Sequence, residues 1–442
     1  MKQSINYIFE DSYKDVMKLK ITFLILMLLL VSCNSDDSPA PTPDSQTPNT
    51  QNPNPSLPPL VVIQNTGAPC VNGMAGNYPC DGFDLLAYIS LEVFGSQAGN
   101  DNWGWTDPES GKEYVLNGLT DGVGFVDISD PSAPIYLGKL PTARSGTGDI
   151  WRDIKVYENH AFIVSEIDGH GMQVFDLTRL RNVENFTTFT TDARLTSFGG
   201  AHNIAINTTS GVAYVVGSDD YAGGPKFIDI NVPQSPRDAG GFAEAGYTHD
   251  AHIFNYQGAD PDHQGREIYL GSNSQGNMQN NRLVIVDVTD KDNPTLIAEI
   301  EYNNHGYTHQ VWMDETHHFA YLGDELDENN FGNNTRTFVF DLSDLDNPTL
   351  HHIYEGTTRA IDHNGYVKDD SFYLANYTAG LREIDISDIA NGNMTEIRFF
   401  DTYPAHDNAS FNGVWNVYPF FESGVIAIND SDNGLFLVRA SD

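Results

Sequence analysis

The sequence predicts an all-β fold, a seven-bladed β-propeller, and three observations carry that reading. The first is the stretch 282–302. Leu283 to Val286 is a short, β-branched apolar run of the kind a strand buried on both faces shows. Asp287, Thr289 and Asp290 follow, with short side chains that accept hydrogen bonds from nearby amides. Asn293-Pro294 then sets a turn, and Thr295 to Ile300 reads as a second strand. The second observation is recurrence. Related units stand at Val126-Asp-Ile-Ser-Asp-Pro131, Phe175-Asp-Leu-Thr178, Ile228-Asp-Ile-Asn231, Phe340-Asp-Leu-Ser-Asp344 and Ile384-Asp-Ile-Ser-Asp388. A degenerate copy, Leu435-Phe-Leu-Val438, closes the chain, and a period of roughly 50 residues is that of propeller blades. The third is composition. Aromatic residues make up 11% of the chain, Gly and Pro are frequent, and long segments of 3.6-residue periodicity are missing.

The unit resembles the LVIVD repeat, most closely at 282–302. The resemblance is wider than one repeat. Cys70-Val-Asn-Gly-Met-Ala-Gly-Asn-Tyr-Pro-Cys80, Trp151-Arg-Asp-Ile-Lys-Val156, Gly169-His-Gly-Met-Gln-Val-Phe-Asp176, Tyr247-Thr-His-Asp250 and Phe331-Gly-Asn-Asn-Thr-Arg-Thr337 are similar to the choice-of-anchor B family. The similarity runs from about Pro69 to the C-terminus. It implies a secreted bacterial propeller of LVIVD-type repeats held at the cell surface, and no biochemical activity defines that family.

Residues 1–32 read as a lipoprotein signal peptide. Lys18 and Lys20 form a basic n-region, and Ile21 to Val31 is an apolar core too short to span a bilayer as a mature helix. Met17 is an alternative start. Leu30-Val-Ser-Cys33 resembles a lipobox, in which cleavage before Cys33 frees a thiol for diacylglycerol; the other reading is a plain secretory signal with an incidental Cys. The acidic residues in Asn34-Ser-Asp-Asp-Ser38 resemble a signal for export to the outer face of the outer membrane. Residues 33–59 are rich in Pro, Asn, Thr and Ser, so they cannot bury a core and read as a disordered, lipid-anchored tether. The expected address is the outer membrane, facing the cell exterior, with the membrane as a partner through the anchor. A formal net charge of −38 argues against nucleic acid and against anionic membrane surfaces, and favours cations or cationic partners.

Residues 60–102 form the next segment. Cys70 and Cys80, separated by Gly73, Gly76 and Pro79, read as a local disulfide in an exported protein. A catalytic thiol or a Cys-based metal site are the alternatives, though two sulfurs make only half a site. From 103 to 442 come the blades, with inner strands expected near Trp103, Trp151, His202, His249, His309, His363 and Asn412. The fourth carries an inserted hairpin at 257–265. The last shows three strands, and Leu85 to Leu91 is the natural donor of the missing one, closing the ring.

Candidate functional residues follow from the repeat. Inner strands begin with polar pairs, Arg152-Asp153, His202-Asn203, His249-Asp250, His309-Gln310 and His363-Asn364. All inner strands of a propeller start at one face, so His202, His249, His309 and His363 are expected to converge at the channel mouth with Asp153, Asp250 and Glu166. Second strands return to that face and end in polar groups such as Asp324-Glu325. Such a set suits a divalent metal, calcium or a transition metal, or a small ligand. It equally suits a plug that satisfies backbone groups. The loops 324–330 and 430–434 carry calcium-like oxygen ligands, with solvated acidic turns as the plainer reading. The leading functional expectation is a binding module for a protein, glycan or small molecule at the propeller face. The alternative is a metal-dependent enzyme using the histidine ring.

Overall fold

Side chains alternate across a strand, so the apolar run 283–286 must serve two surfaces. Leu283 and Ile285 pack with Val311, Leu322, Phe338 and Phe340 of the following blade. Val284 and Val286 pack with Tyr214, Val216 and Phe227 of the preceding one. Each blade is thus apolar on both faces because each face is half of an inter-blade core, and the unit repeats for that reason.

A computed structural model describes residues 58–275 and 279–441. The signal peptide, Cys33 and all of the tether before Pro58 lie outside the described residues. Blades one to seven occupy 99–141, 152–195, 203–241, 248–300, 308–355, 365–400 and 414–440. Blade one begins at Gly99 rather than Trp103. The turn after each third strand is built as its sequence suggests. Asp127, Asp176, Asp229, Asp287, Asp341 and Asp385 each accept from the amide two residues on, at 2.9–3.0 Å.

Ring closure follows the expected route. Phe83–Ser90 is the fourth strand of blade seven, paired antiparallel with Gly434–Ala440. Phe83, Leu85, Ala87 and Ile89 are all buried, Phe83 and Leu85 against blade six and Ala87 and Ile89 against blade one. Cys70 and Cys80 are disulfide-bonded. Their hairpin, Met74–Ala75 and Tyr78–Asp81, adds to the outer edge of blade six through Phe399 and Phe400. Val61–Val62 pairs with the outer strand of blade one. Pro58 and Pro59, assigned to the tether, are already bonded to Phe186 and Asn185.

Candidate functional site

The inner strands of blades one, four, five and seven carry a β-bulge at their start, while those of blades two, three and six pair in unbroken register. Register shifts fall between Gly99 and Asn102, Thr248 and Asp250, Thr308 and Gln310, and Val414 and Asn416. A bulge sets two residues against one, so consecutive side chains such as His249 and Asp250 both reach the axis. Two polar layers result.

The lower layer takes one residue from each blade: Asp101, Asp153, Asn203, Asp250, Gln310, Asn364 and Asn416. Several cap the neighbouring blade. Asp101 accepts from the Ile154 amide at 3.0 Å, Asp153 from Ile204 at 2.8 Å, and Gln310 from Gly365 at 2.9 Å. Asn416 bridges Asn364 to Asp101. Lys155 reaches in from below, 2.5 Å from Asp153 and 3.9 Å from Asp101, with its ammonium over Trp103. Burial opposes the Lys155 charge, but Asp153, Asp101 and Asp250 overcome it and raise its pKa. Burial, with Asp153 nearby, pushes Asp250 up to about 7. Beneath lie Trp103, Trp312, Tyr366 and Phe420 in mutual contact. Asp153 thus caps the neighbouring blade and also lines the recess beside the imidazoles, whereas Asp250 is not among the residues lining it.

The upper layer is the histidine arc. Successive ring centroids of His202, His249, His309 and His363 are 4.0, 4.2 and 4.2 Å apart. His249 Nδ1 donates to the His309 carbonyl at 2.9 Å, and His363 Nδ1 to that of Trp415. His309 turns its Nδ1 towards the His363 main chain without closing a hydrogen bond. An Nδ1–H held by a carbonyl leaves the lone pair on Nε2. Burial lowers all three rings, with His202 adding to the effect on His249 and neighbouring imidazoles on His309, and His363 falls to about 3. These three are neutral. His202 differs: burial opposes its charge, but a 2.7 Å hydrogen bond to Glu166 and that carboxylate's charge raise it.

Glu325 completes the set. Its two oxygens stand 3.8 Å from His309 Nε2 and 3.8 Å from His363 Nε2, and burial raises its pKa to about 7. His309, Glu325 and His363 offer ligand atoms all within 4.8 Å of one another; His202 and His249 are not part of that group. The four-histidine site expected for one ion thus contracts to two imidazoles and a carboxylate. A recess of about 20 Å³ opens beside them, lined also by Trp151 and Trp415. Trp415 takes the place assigned to Asn412, which instead bonds Asp432. A larger hollow of about 360 Å³ near Arg179 and Asn185 lies apart from this histidine arc.

The acidic loops behave differently from solvated turns. Asp430 is buried and its oxygens are taken up by Thr402, Asp432 and Asn433. Asp324, Asp327 and Glu328 are fully buried, a correction to the exposed turn expected there. Burial and the charges of Asp362 and Asp327 push Glu328 up to about 12.

Known proteins bear on the fold. The LVIVD repeat matches residues 120–142 and 278–301. This is a seven-bladed propeller with LVIVD repeats. Among solved structures it is similar to the β-propeller domain of Myceliophteria thermophila Cps50 (Swd1), with a TM-score of 0.53 and 11% identity, covering 81% of this chain and 100% of that one. It is also similar to the WD40 β-propeller domain of Doa1, at 0.52 and 11%, covering 82% and 98%. At such identity the likeness concerns the fold alone. No curated protein matches the chain.

Proposed function

We propose that this protein is a lipid-anchored, surface-displayed binding module whose channel mouth captures a divalent transition metal, or a small ligand bearing one. The supporting observation is the pair of buried, neutral imidazoles whose Nε2 atoms each stand 3.8 Å from a Glu325 oxygen. Two ligands on one ion at about 2.0–2.2 Å stand up to about 4 Å apart, so the separation suits a shared metal. Nitrogen donors favour zinc, copper or nickel over calcium. His249 and His202 continue the arc and would contact what the metal carries. An enzymatic role for this face has no observation of its own and is not proposed.

The decisive experiment is metal content of the protein purified without a polyhistidine tag, after dialysis against each metal. One equivalent in the wild type, lost in His363→Ala and Glu325→Gln with the melting curve preserved, supports the reading. Substoichiometric metal in the wild type refutes it. The address is tested separately, through the Leu30-Val-Ser-Cys33 motif. Cys33→Ser should leave the protein unprocessed or released from membranes, and protease added to intact cells should cut within 34–57. A processed, membrane-bound variant would remove the anchor from the proposal.

A further inference from the structure

The turn that follows the second strand of blade five buries more negative charge than the protein neutralises. Asp324, Asp327 and Glu328 have 0% exposure, as does Asp362 from the loop leading into blade six. Asp324 is satisfied by the Gly306 and Tyr307 amides and the Tyr302 hydroxyl, at 2.6–2.9 Å. Asp327 gives one oxygen to the Arg336 guanidinium, and Asp362 gives one to the Asp324 amide at 3.1 Å. Asp327 Oδ1, Asp362 Oδ1 and both Glu328 oxygens meet no N–H or hydroxyl donor among the described residues, and the Glu328 carboxyl has only the Asp327 and Asp362 carboxyls beside it. Arg359 reaches only the Glu328 carbonyl, at 3.5 Å.

A neutral side chain points into the same space. Thr337 is fully buried and its hydroxyl is also without a partner. It stands directly across the ladder from Gly323, so the two share a side-chain direction. A Cβ at Gly323 would lie 2.6 Å from Asp362 Oδ2, which shows where that direction leads.

Buried carboxylates without partners protonate or hold a metal ion. We propose that Asp327, Glu328 and Asp362, with the Thr337 hydroxyl, form a Ca²⁺ site that clips the 324–331 turn of blade five to the approach of blade six. The donors are all hard oxygens, which select calcium over the metals suited to the mouth. The site is independent of the mouth, because the Glu325 carboxylate turns the other way, to His309, His363 and Tyr377. The three carboxylates are not all within 4.8 Å of one another. Ligands on opposite sides of a Ca²⁺ at 2.3–2.6 Å stand about 5 Å apart. The Glu328 carboxyl, which lies against those of Asp327 and Asp362, closes the remaining distance.

The test is thermal melting of the full mature protein at neutral pH, stripped with EGTA and titrated with Ca²⁺ or Mg²⁺. Ca²⁺ about a hundredfold above its Kd should raise the Tm by several degrees, and Mg²⁺ by less. His363→Ala should keep the whole response. Glu328→Gln should weaken Ca²⁺ binding about tenfold or more yet melt no lower than the stripped wild type, since it removes a repelled charge. If about 10 mM Ca²⁺ leaves the stripped protein unchanged, the carboxyls are neutralised by protons and the proposal fails. A Glu328→Gln variant that responds to Ca²⁺ like the wild type overturns it equally.

Discussion

A chain cut to begin at Gln97 should lose its cooperative fold, whereas one cut to begin at Gly82 should keep it. Both lack the disulfide hairpin and the Val61–Val62 pairing, so their difference isolates Phe83–Ser90 and the short helix Leu91–Phe94 after it. That segment buries Phe83, Leu85, Ile89 and Phe94 to 1%, 5%, 0% and 3% exposure. At about 1.5–3 kcal/mol for each large apolar side chain, their loss removes about 6–12 kcal/mol. This approaches the whole stability of a typical domain, about 5–15 kcal/mol. The cut also strips seven residue pairs from Gly434–Ala440 and exposes it as an edge. Urea titration followed by far-UV circular dichroism, with size-exclusion chromatography, reads both effects. The Gly82 chain should give one sharp transition, and the Gln97 chain a broad one or aggregation. Two chains with the same midpoint and slope would show that the ring does not depend on this strand.

Other expectations are narrower. Lys155→Met leaves Asp153 and Asp101 buried without their cation and should cost about 3–5 kcal/mol; adding Asp153→Asn should recover much of it, and purely additive losses in a double-mutant cycle would contradict the pairing. His170 is buried beside Arg152, and these two causes lower its pKa to about 4. Its folded pKa lies below the unfolded 6.5, so the stability it contributes is complete above pH 6.5 and is lost as pH falls towards 4. The loss should reach about 3 kcal/mol, and His170→Gln should flatten that part of a urea-midpoint profile. Replacing Cys70 and Cys80 together by Ser should lower stability by about 2–3 kcal/mol without changing the slope of the urea transition by much.

Much of the fold could be read from the chain because the repeat states its own physics. A four-residue apolar run followed by Asp and Ser or Thr encodes a strand buried on two faces and a turn that caps itself. The three-stranded last blade points to Leu85–Leu91 as its missing strand, and the strand found there is Phe83–Ser90. The site was legible only in outline. Four histidines in equivalent places announce a ring, but the bulges that bring a second residue to the axis leave no mark in composition. Asn412 stands where the sequence puts the start of the last inner strand, while geometry gives the place beside the histidines to Trp415. In the sequence Glu325 is one of several polar or acidic strand ends. Its position opposite His309 and His363 depends on how blades five and six meet. The burial of Asp327 and Glu328 has the same origin: Asp327 meets Arg336, and Glu328 meets Arg359 and Asp362, all from other parts of the chain.

The route of the N-terminal segment also sets how this protein bears mechanical load. Chain entering at Pro58 touches the outer strand of blade one, then Leu85 through Ala68, then the edge of blade six, before turning back as the closing strand. A pull on that end would first break the contacts of Pro58 and Pro59 with Phe186 and Asn185, and then peel the two pairs at Val61 and Val62. It would next tighten the covalent loop between Cys70 and Cys80, which cannot lengthen. The seven-pair seam would feel the force last. The weak outer contacts thus act as a fuse in series before the joint that keeps the ring shut.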